Sequence, residues 1–346
     1  MNKREGLNAL LKKHFQLLTD SGKIHGARYQ IALSNKIVVT GEVGVADSLV
    51  DTQSITKLFT AVAILQLQEK GLLTLEECVA RFLPEFQKKP FAKIRIIHLL
   101  THTSGLVALQ DAFPERYLDW EADVDRNHVE ATWIPAILSK GLFYEPGTQW
   151  EYSKAGFCIL GEIIRRATGQ TAEEYIRENI LLPCDMHRSH WNQQMDSIWE
   201  IIPKTAWGLR IPIDELVQFG MMLAEGGIYK GKRILSESSM EALEKNWLSP
   251  DMKDYCWDHG GKFIAYGAGC PIYISSYEPQ WAVGEGTIYH EGSGACMLLV
   301  NRQKHLAAAW TTPFADSEAW CQEAVKGTAS ELWKHLFGEE RVHGYK

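Results

Sequence analysis

Residues 51–71, DTQSITKLFTAVAILQLQEKG, set Ser54 and Lys57 three positions apart at the mouth of a strongly apolar segment. A lysine is costly to bury and a serine is a middling helix former, so the pair asks for a reason. From Lys57 to Lys70 the apolar residues follow helical spacing, and Gly71 stands where a left-handed C-terminal cap is expected. Residues three apart on a helix share a face, which brings the Lys57 amine within reach of the Ser54 hydroxyl. A desolvated lysine loses part of its preference for the charged form. As a neutral amine it can take the hydroxyl proton and make the serine a nucleophile. The bland reading is a solvated helix start, since chance supplies roughly one Ser-x-x-Lys in a chain of this size.

Towards the N-terminus, MNKREGLNALLKKHFQLL reads as an amphipathic helix with Leu7, Leu10, Leu11, Phe15 and Leu18 on one side. ARYQIALSNKIVVTGEVG then reads as a hairpin turning at Ser34-Asn35-Lys36. Beyond Gly71, the capping box Thr74-x-x-Glu77 predicts another helix. IRIIHLLTHTSGL (94–106) is a helix end running into a polar turn, in which His98, Thr101, His102 and Ser104 have structural parts. A Pro-Gly turn, a loop, a helix through Ala167, a Gly169 stop and a capping box at Thr171-x-x-Glu174 follow. Past residue 260, KFIAYGAGCPIYI, TIYHEGSGACMLLV and KHLAAAWTT read as successive antiparallel strands, with a turn at Asn301 to Gln303 and a terminal helix from roughly Ser317 to Phe337. Strands at both ends around a helical middle predict an α+β fold, one antiparallel sheet built from both chain ends with a helical lobe inserted. The expected division of a single unit, 1–346, is a sheet lobe with terminal helices (1–50 and 258–346) and a mainly helical lobe (51–257).

With 346 residues, 45% hydrophobic, the chain can bury a sizeable core. A formal net charge of −7 without charge blocks offers no footprint for nucleic acid. No apolar stretch reaches a membrane span and the first residues lack an apolar signal core, so the expectation is a cytoplasmic protein with no membrane partner. Seven cysteines, scattered and never in C-x-x-C, predict reduced thiols. His187 and His190 lack a third ligand nearby, so no metal is expected. Among the tryptophans, Trp120, Trp133, Trp150, Trp191, Trp207 and Trp281 lie in stretches that read as loops, where some could line an apolar pocket.

Five ordered blocks carry a family likeness: SITK with the helix after it, IRIIHLLTHTSGL, EPGTQWEYSKAGFCILGEII, LVQFGMMLAEGGIYKGKRIL and His290-Glu291-Gly292. From about residue 26 to about 312 the chain resembles the penicillin-recognising serine hydrolases, in the branch of class C β-lactamases, DD-peptidases and related esterases. The resemblance implies a β-lactamase-like fold and an acyl-enzyme on Ser54. Lys57 would accept the serine proton. Tyr152, at the tyrosine of the family's Tyr-x-Asn, would share the acid/base work. Gly292 would let a substrate lie along the strand edge, and the N–H groups of Ser54 and Ser293 would form the oxyanion hole. His290 would stand nearby as a hydrogen-bond donor or partial positive charge.

Two departures qualify the likeness. Lys154 replaces the asparagine of Tyr-x-Asn, and a lysine donates but cannot accept. Either the substrate carries a carbonyl, carboxylate or phosphate there, or Lys154 takes over part of the charge role around Tyr152; efficient β-lactam hydrolysis is not expected. The connection from Gly44 to Ser54 is also short for the family. The implied activity is a serine hydrolase or acyltransferase acting on a small-molecule ester, amide or short peptide without a cofactor. The rivals are a transacylase in small-molecule biosynthesis and a silent binding protein that keeps the pocket. Sequence leaves the oligomeric state open.

Overall fold

A computed structural model describes residues 3–108, 118–193, 197–254, 262–278, 281–293, 295–313 and 323–338. The first helix, α1 (Lys3–Asp20), precedes the hairpin β1 (Gly26–Leu33) and β2 (Lys36–Gly44). Ser34 and Asn35 both take the positive φ that a tight two-residue hairpin requires. A short strand β3 (Leu49–Asp51) leads into a 3-10 turn, Gln53–Ile55, and then α2 (Thr56–Glu69). The helices α3 (Ile96–Leu100), α4 (Val129–Ser139), α5 (Lys154–Thr168) and α6 (Ala172–Ile176) follow. Next come β4 (His190–Trp191), β5 (Leu209–Pro212) and α7 (Ile213–Ala224), with β3, β5 and β4 forming a small sheet in that order. Two short ribbons pair β6 (Ile228–Tyr229) with β7 (Lys232–Arg233) and β8 (Lys253–Asp254) with β9 (Lys262–Phe263), with α8 (Glu237–Glu244) between them in sequence. The chain closes with β10 (Ile288–Gly292), β11 (Cys296–Asn301), β12 (Leu306–Thr311) and α9 (Thr328–Phe337).

The main sheet has the order β10-β11-β12-β1-β2, with antiparallel neighbours throughout, so both chain regions contribute to it. Its central strands are apolar on both faces, as strands covered on both sides must be. Tyr29, Ile31, Met297, Leu299, Ala308 and Trp310 pack with Leu7, Leu11 and Phe15 of α1 and Leu332 and Trp333 of α9. Cys296, Leu298, Val300, Ala307 and Ala309 face the helical body. There α7 lies close to the sheet: a Cβ at Gly220 would stand 3.0 Å from Leu298 and 3.1 Å from Ala307. The alanine run of β12 is thus the small side of a helix–sheet contact.

Three sequence expectations need correction or limits. Thr74 and Glu77 do make a capping exchange, the Thr74 N–H donating to the Glu77 carboxylate at 3.1 Å, yet only a 3-10 turn at Val79–Arg81 follows. Cys78 instead bridges to Arg95, so a tertiary pairing interrupts the helix. The run KFIAYGAGCPIYI is not one strand. After β9 it makes isolated bridges, Tyr266 to Pro271 and Ile272 to Ile288, around a turn in which Gly269 has φ of 100°. A Cβ at Gly267 would collide with the Leu243 carbonyl, so these glycines serve close packing rather than a ladder. The expected terminal helix begins outside the described residues; from Glu323 a π turn runs into α9.

Among the described residues no helix is long and apolar enough to cross a membrane. Cys78, Cys158, Cys184, Cys270 and Cys296 are free thiols, while Cys256 and Cys321 lie outside the described residues.

Candidate active site

The start of α2 is stitched to a segment 150 residues away. Thr52 donates to the Leu209 carbonyl at 2.5 Å, the Leu209 N–H donates to the Thr56 hydroxyl at 3.2 Å, and Thr60 donates to the Thr205 carbonyl at 2.8 Å. Three threonines at four-residue spacing form the polar row of an otherwise apolar, buried helix. That row was a readable signal for a partner strand, and the segment 205–209 that answers it has no signature of its own. Gln53, just ahead of Ser54, has φ of 45°, a left-handed conformation that non-glycine residues adopt at a cost. The Asp51 carboxylate accepts its N–H at 3.2 Å and helps hold the turn.

Lys57 is only 2% exposed. Its Nζ donates to the Ser54 hydroxyl at 3.1 Å and to the Ala206 carbonyl at 2.7 Å. It lies 4.8 Å from the centroid of the Tyr152 ring and 5.7 Å from that of Phe157. Among the described residues no carboxylate pairs with it. Burial above all, opposed by Cys158 and aided by the Lys154 charge, therefore brings its pKa down to about 7. The structure thus brings Ser54, Lys57 and Tyr152 to one place, with Tyr152 itself buried.

Strand β10 packs against the turn that carries Ser54. The approach is so close that a Cβ at Gly292 would collide with the Thr52 carbonyl and the Cys296 sulfur. Glycine is required there by contact, not by an unusual φ. Ser293 follows it at the exposed turn into β11. His290 is buried on the same strand, and its Nδ1 donates to the Glu291 carbonyl at 2.8 Å. Burial, reinforced by the Lys57 charge, pushes its pKa down to about 3. The expected partial positive charge at His290 is therefore corrected: the ring is neutral, because a desolvated site beside another amine disfavours a second proton.

Lys154, at the first position of α5, does not stand open to solvent. It pairs with Glu121 and lies 5.0 Å from the Trp199 ring centroid and 5.8 Å from that of Trp207. The indole of Trp120 meets Trp199 edge-on at 6.2 Å. Of the six tryptophans singled out in the sequence, Trp207 is the one beside Lys154; Trp133 belongs to α4 and Trp191 to β4, and Trp281 packs with the sheet's outer core. Glu121 and Trp199 carried no motif that could have pointed to them.

His102 proves more central than a turn residue. Its ring lies 4.3 Å from that of Tyr152 and 5.3 Å from that of Tyr266, and its Nδ1 accepts the Ser153 N–H at 3.1 Å. The Ser153 hydroxyl in turn caps α5 and donates to the Val107 carbonyl at 2.7 Å. This links the THTSG turn to the tyrosine loop and fixes where Tyr152 sits. Burial drives the His102 pKa well below its ordinary value, with Lys57 and His290 adding to the effect. Among the described residues no cluster of His, Cys, Asp and Glu is arranged to hold a metal.

A serine hydroxyl on the turn into α2 and a desolvated amine within that helix are faced by the loop that carries Tyr152 and by the edge of β10. The sequence profile described as Beta-lactamase matches residues 11–319, and the chain belongs to that family. Penicillin-binding protein 4* of Bacillus subtilis is 35% identical over 145 residues, 41% of this chain and 30% of that protein. Monacolin J acid methylbutanoyltransferase of Aspergillus terreus is 34% identical over 148 residues, 38% of this chain and 35% of that protein. The match spans about a third of the length of these two relatives. Among solved structures, EstCE1, described as a hydrolase with promiscuous acyltransferase activity, superposes with a TM-score of 0.78 at 16% identity, over 97% of this chain and 99% of that one. This likeness shows a shared fold of the β-lactamase type.

Proposed function

We propose that this chain is a serine hydrolase or acyltransferase that forms an acyl-enzyme on Ser54 from an ester or amide of a small molecule or short peptide. The observation that carries the reading is the buried Lys57 amine, 3.1 Å from the Ser54 hydroxyl and with a pKa lowered to about 7. An amine that is substantially neutral near pH 7 is a competent base. In the proposed cycle the Ser54 oxygen attacks the substrate carbonyl as its proton passes to Lys57. The tetrahedral oxyanion is received by the N–H groups of Ser54 and Ser293. Collapse breaks the bond to the leaving group, which takes up the proton through Lys57 and Tyr152. Water or another nucleophile then gives its proton to the same pair and attacks the acyl carbon; collapse breaks the bond to the Ser54 oxygen, which takes that proton back from Lys57. Gly292 lets β10 pack against the turn that carries Ser54, with His290 on that strand and Lys154, paired with Glu121, at the start of α5.

Acyl transfer to an alcohol or amine is the second reading, favoured by the transferase among the relatives and the promiscuous hydrolase among the folds. A cytoplasmic location is part of the proposal, in keeping with the free thiols. The chemistry is tested with p-nitrophenyl acetate and a fluorophosphonate, followed by intact mass. The expected result is a single adduct, absent in Ser54→Ala; lack of any adduct with either reagent would favour a silent binding protein. Running the ester reaction with and without an added alcohol or amine separates hydrolysis from transfer.

A further inference from the structure

His102 grips the three residues centred on Tyr152. Its carbonyl accepts the Glu151 N–H at 3.0 Å and the Tyr144 hydroxyl at 3.4 Å, and its Nδ1 accepts the Ser153 N–H at 3.1 Å. The residues before and after Tyr152 are thus tied to one histidine, and the Tyr152 ring lies over its imidazole, 4.3 Å between centroids with 34° between planes. The imidazole is also 5.1 Å from the Phe157 ring. Tyr152 and Phe157 are the two rings that the Lys57 amine faces. The grip depends on backbone shape, because His102 has φ of 57°, a left-handed conformation uncommon outside glycine. Such outliers gather where a fold fixes a functional group. The ring state is fixed as well. An N–H can only donate, so Nδ1 presents its lone pair to Ser153, and in the neutral ring the hydrogen sits on Nε2. Burial keeps that ring neutral.

We infer that His102 is the positioning residue for Tyr152: it fixes the phenol beside Lys57 for delivery of the proton to the leaving group, and acts through the tyrosine rather than on the substrate. The inference rests on the acyl-enzyme reading above and deepens it by naming what sets the acid/base geometry. Without the Nδ1 lone pair, the buried Ser153 N–H loses its acceptor and the tyrosine loop has reason to shift. A displacement of about 1 Å in a reacting group costs on the order of 10²-fold. The loss should fall on esters whose leaving group needs a proton, because p-nitrophenolate departs without one.

Asparagine and leucine at this position make a matched pair for the test. An asparagine oxygen stands where Nδ1 does, accepts a hydrogen bond and tolerates a left-handed φ, whereas leucine has the same shape and accepts nothing. Ethyl butyrate and p-nitrophenyl butyrate form the same acyl-enzyme, so their kcat/KM values differ through the leaving group alone. His102→Leu should lose about 10²-fold in kcat/KM on the ethyl ester and under about tenfold on the p-nitrophenyl ester, and His102→Asn should recover most of that loss. In a Tyr152→Phe background His102→Leu should cost under about threefold, since its effect runs through a hydroxyl already removed. Equal losses on the two esters, or the same loss with and without the Tyr152 hydroxyl, overturn the proposal. Independently of turnover, nitrogen-15 NMR of the histidine-labelled wild type should show His102 protonated on Nε2 and bare on Nδ1 at pH 7. A proton on Nδ1 overturns the proposal too. Failure of the acyl-enzyme reading looks different: Ser54→Ala would turn over both esters as wild type does, whatever the tautomer of His102.

Discussion

Two lysines stand beside this site, each over two aromatic faces, and their surroundings assign them opposite work. Lys57 sits near Tyr152 and Phe157 with a hydroxyl and a carbonyl as partners. Lys154 sits near Trp199 and Trp207 with the Glu121 carboxylate beside it, and about a quarter of its side chain reaches solvent. An aromatic face favours a cation in both places. The carboxylate makes the difference. At Lys154 the charge is balanced, and Glu121 also offsets the unfavourable N-terminal end of α5. At Lys57 nothing balances it, so burial dominates and the amine is brought to the range where it can exchange a proton.

The largest expected effect lies in acylation. Lys57→Met should slow the labelling of Ser54 by p-nitrophenyl acetate by about 10²–10⁴-fold, the usual worth of a general base. Lys154→Met should cost under about tenfold in the same assay, having lost only a charge that acts through its neighbours. Equal losses would erase the distinction.

Stability should move the other way. Because the folded-state pKa of Lys57 lies below the unfolded 10.5, the folded protein binds fewer protons between about 7 and 10.5. Its burial penalty is therefore complete below pH 7 and fades as the pH rises towards 10.5. Lys57→Met should be more stable than wild type at pH 7 by roughly 2–4 kcal/mol, after allowing for the Ala206 carbonyl left without a donor. Urea unfolding across this pH range should show the gain shrinking upward. A gain that stays constant to pH 10 would contradict a neutralised lysine.

Glu121→Gln sharpens the contrast from the second lysine. It should destabilise the fold by about 1–2 kcal/mol in thermal or urea unfolding, because a partly buried Lys154 loses its counter-charge. The acid limb of kcat/KM should fall near pH 7 in wild type, with activity lost as Lys57 becomes protonated below it. With Glu121 neutralised, the Lys154 charge is felt more strongly, and the limb should shift down; in Lys154→Met it should shift up, each by under about one pH unit. Shifts of the same sign in the two variants would show that the pair does not act on Lys57 through charge. The smallest signal expected is nitrocefin turnover in Lys154→Asn, which restores the amide of the family motif; no gain at all would mean that Lys154 is not what excludes lactams.

Much of this arrangement was legible in the chain. The hairpin at Ser34-Asn35, the helix after Ser54 with its Gly71 stop, the Thr171 capping box and the closing strands all carry local signals strong enough to survive packing. Where local signals misled, a tertiary contact outweighed them: the Cys78–Arg95 bridge stopped the helix after Thr74, and Gly267 against α8 and Gly269 against α2 folded an apparent strand. Of the two roles expected of His290, hydrogen-bond donor or partial positive charge, the charge is excluded by desolvation, about which residue type says nothing.

Residue order alone settled that a serine and a lysine share a helical face and that strands from both ends flank a helical middle, since these follow from periodicity and short-range caps. Only the folded chain decided which lysine is the base, where the Ala206 carbonyl and the Thr52–Thr60 row meet, and which tautomers His102 and His290 hold. Proton affinity depends on burial and on neighbours hundreds of residues away in sequence, and those are properties of packing.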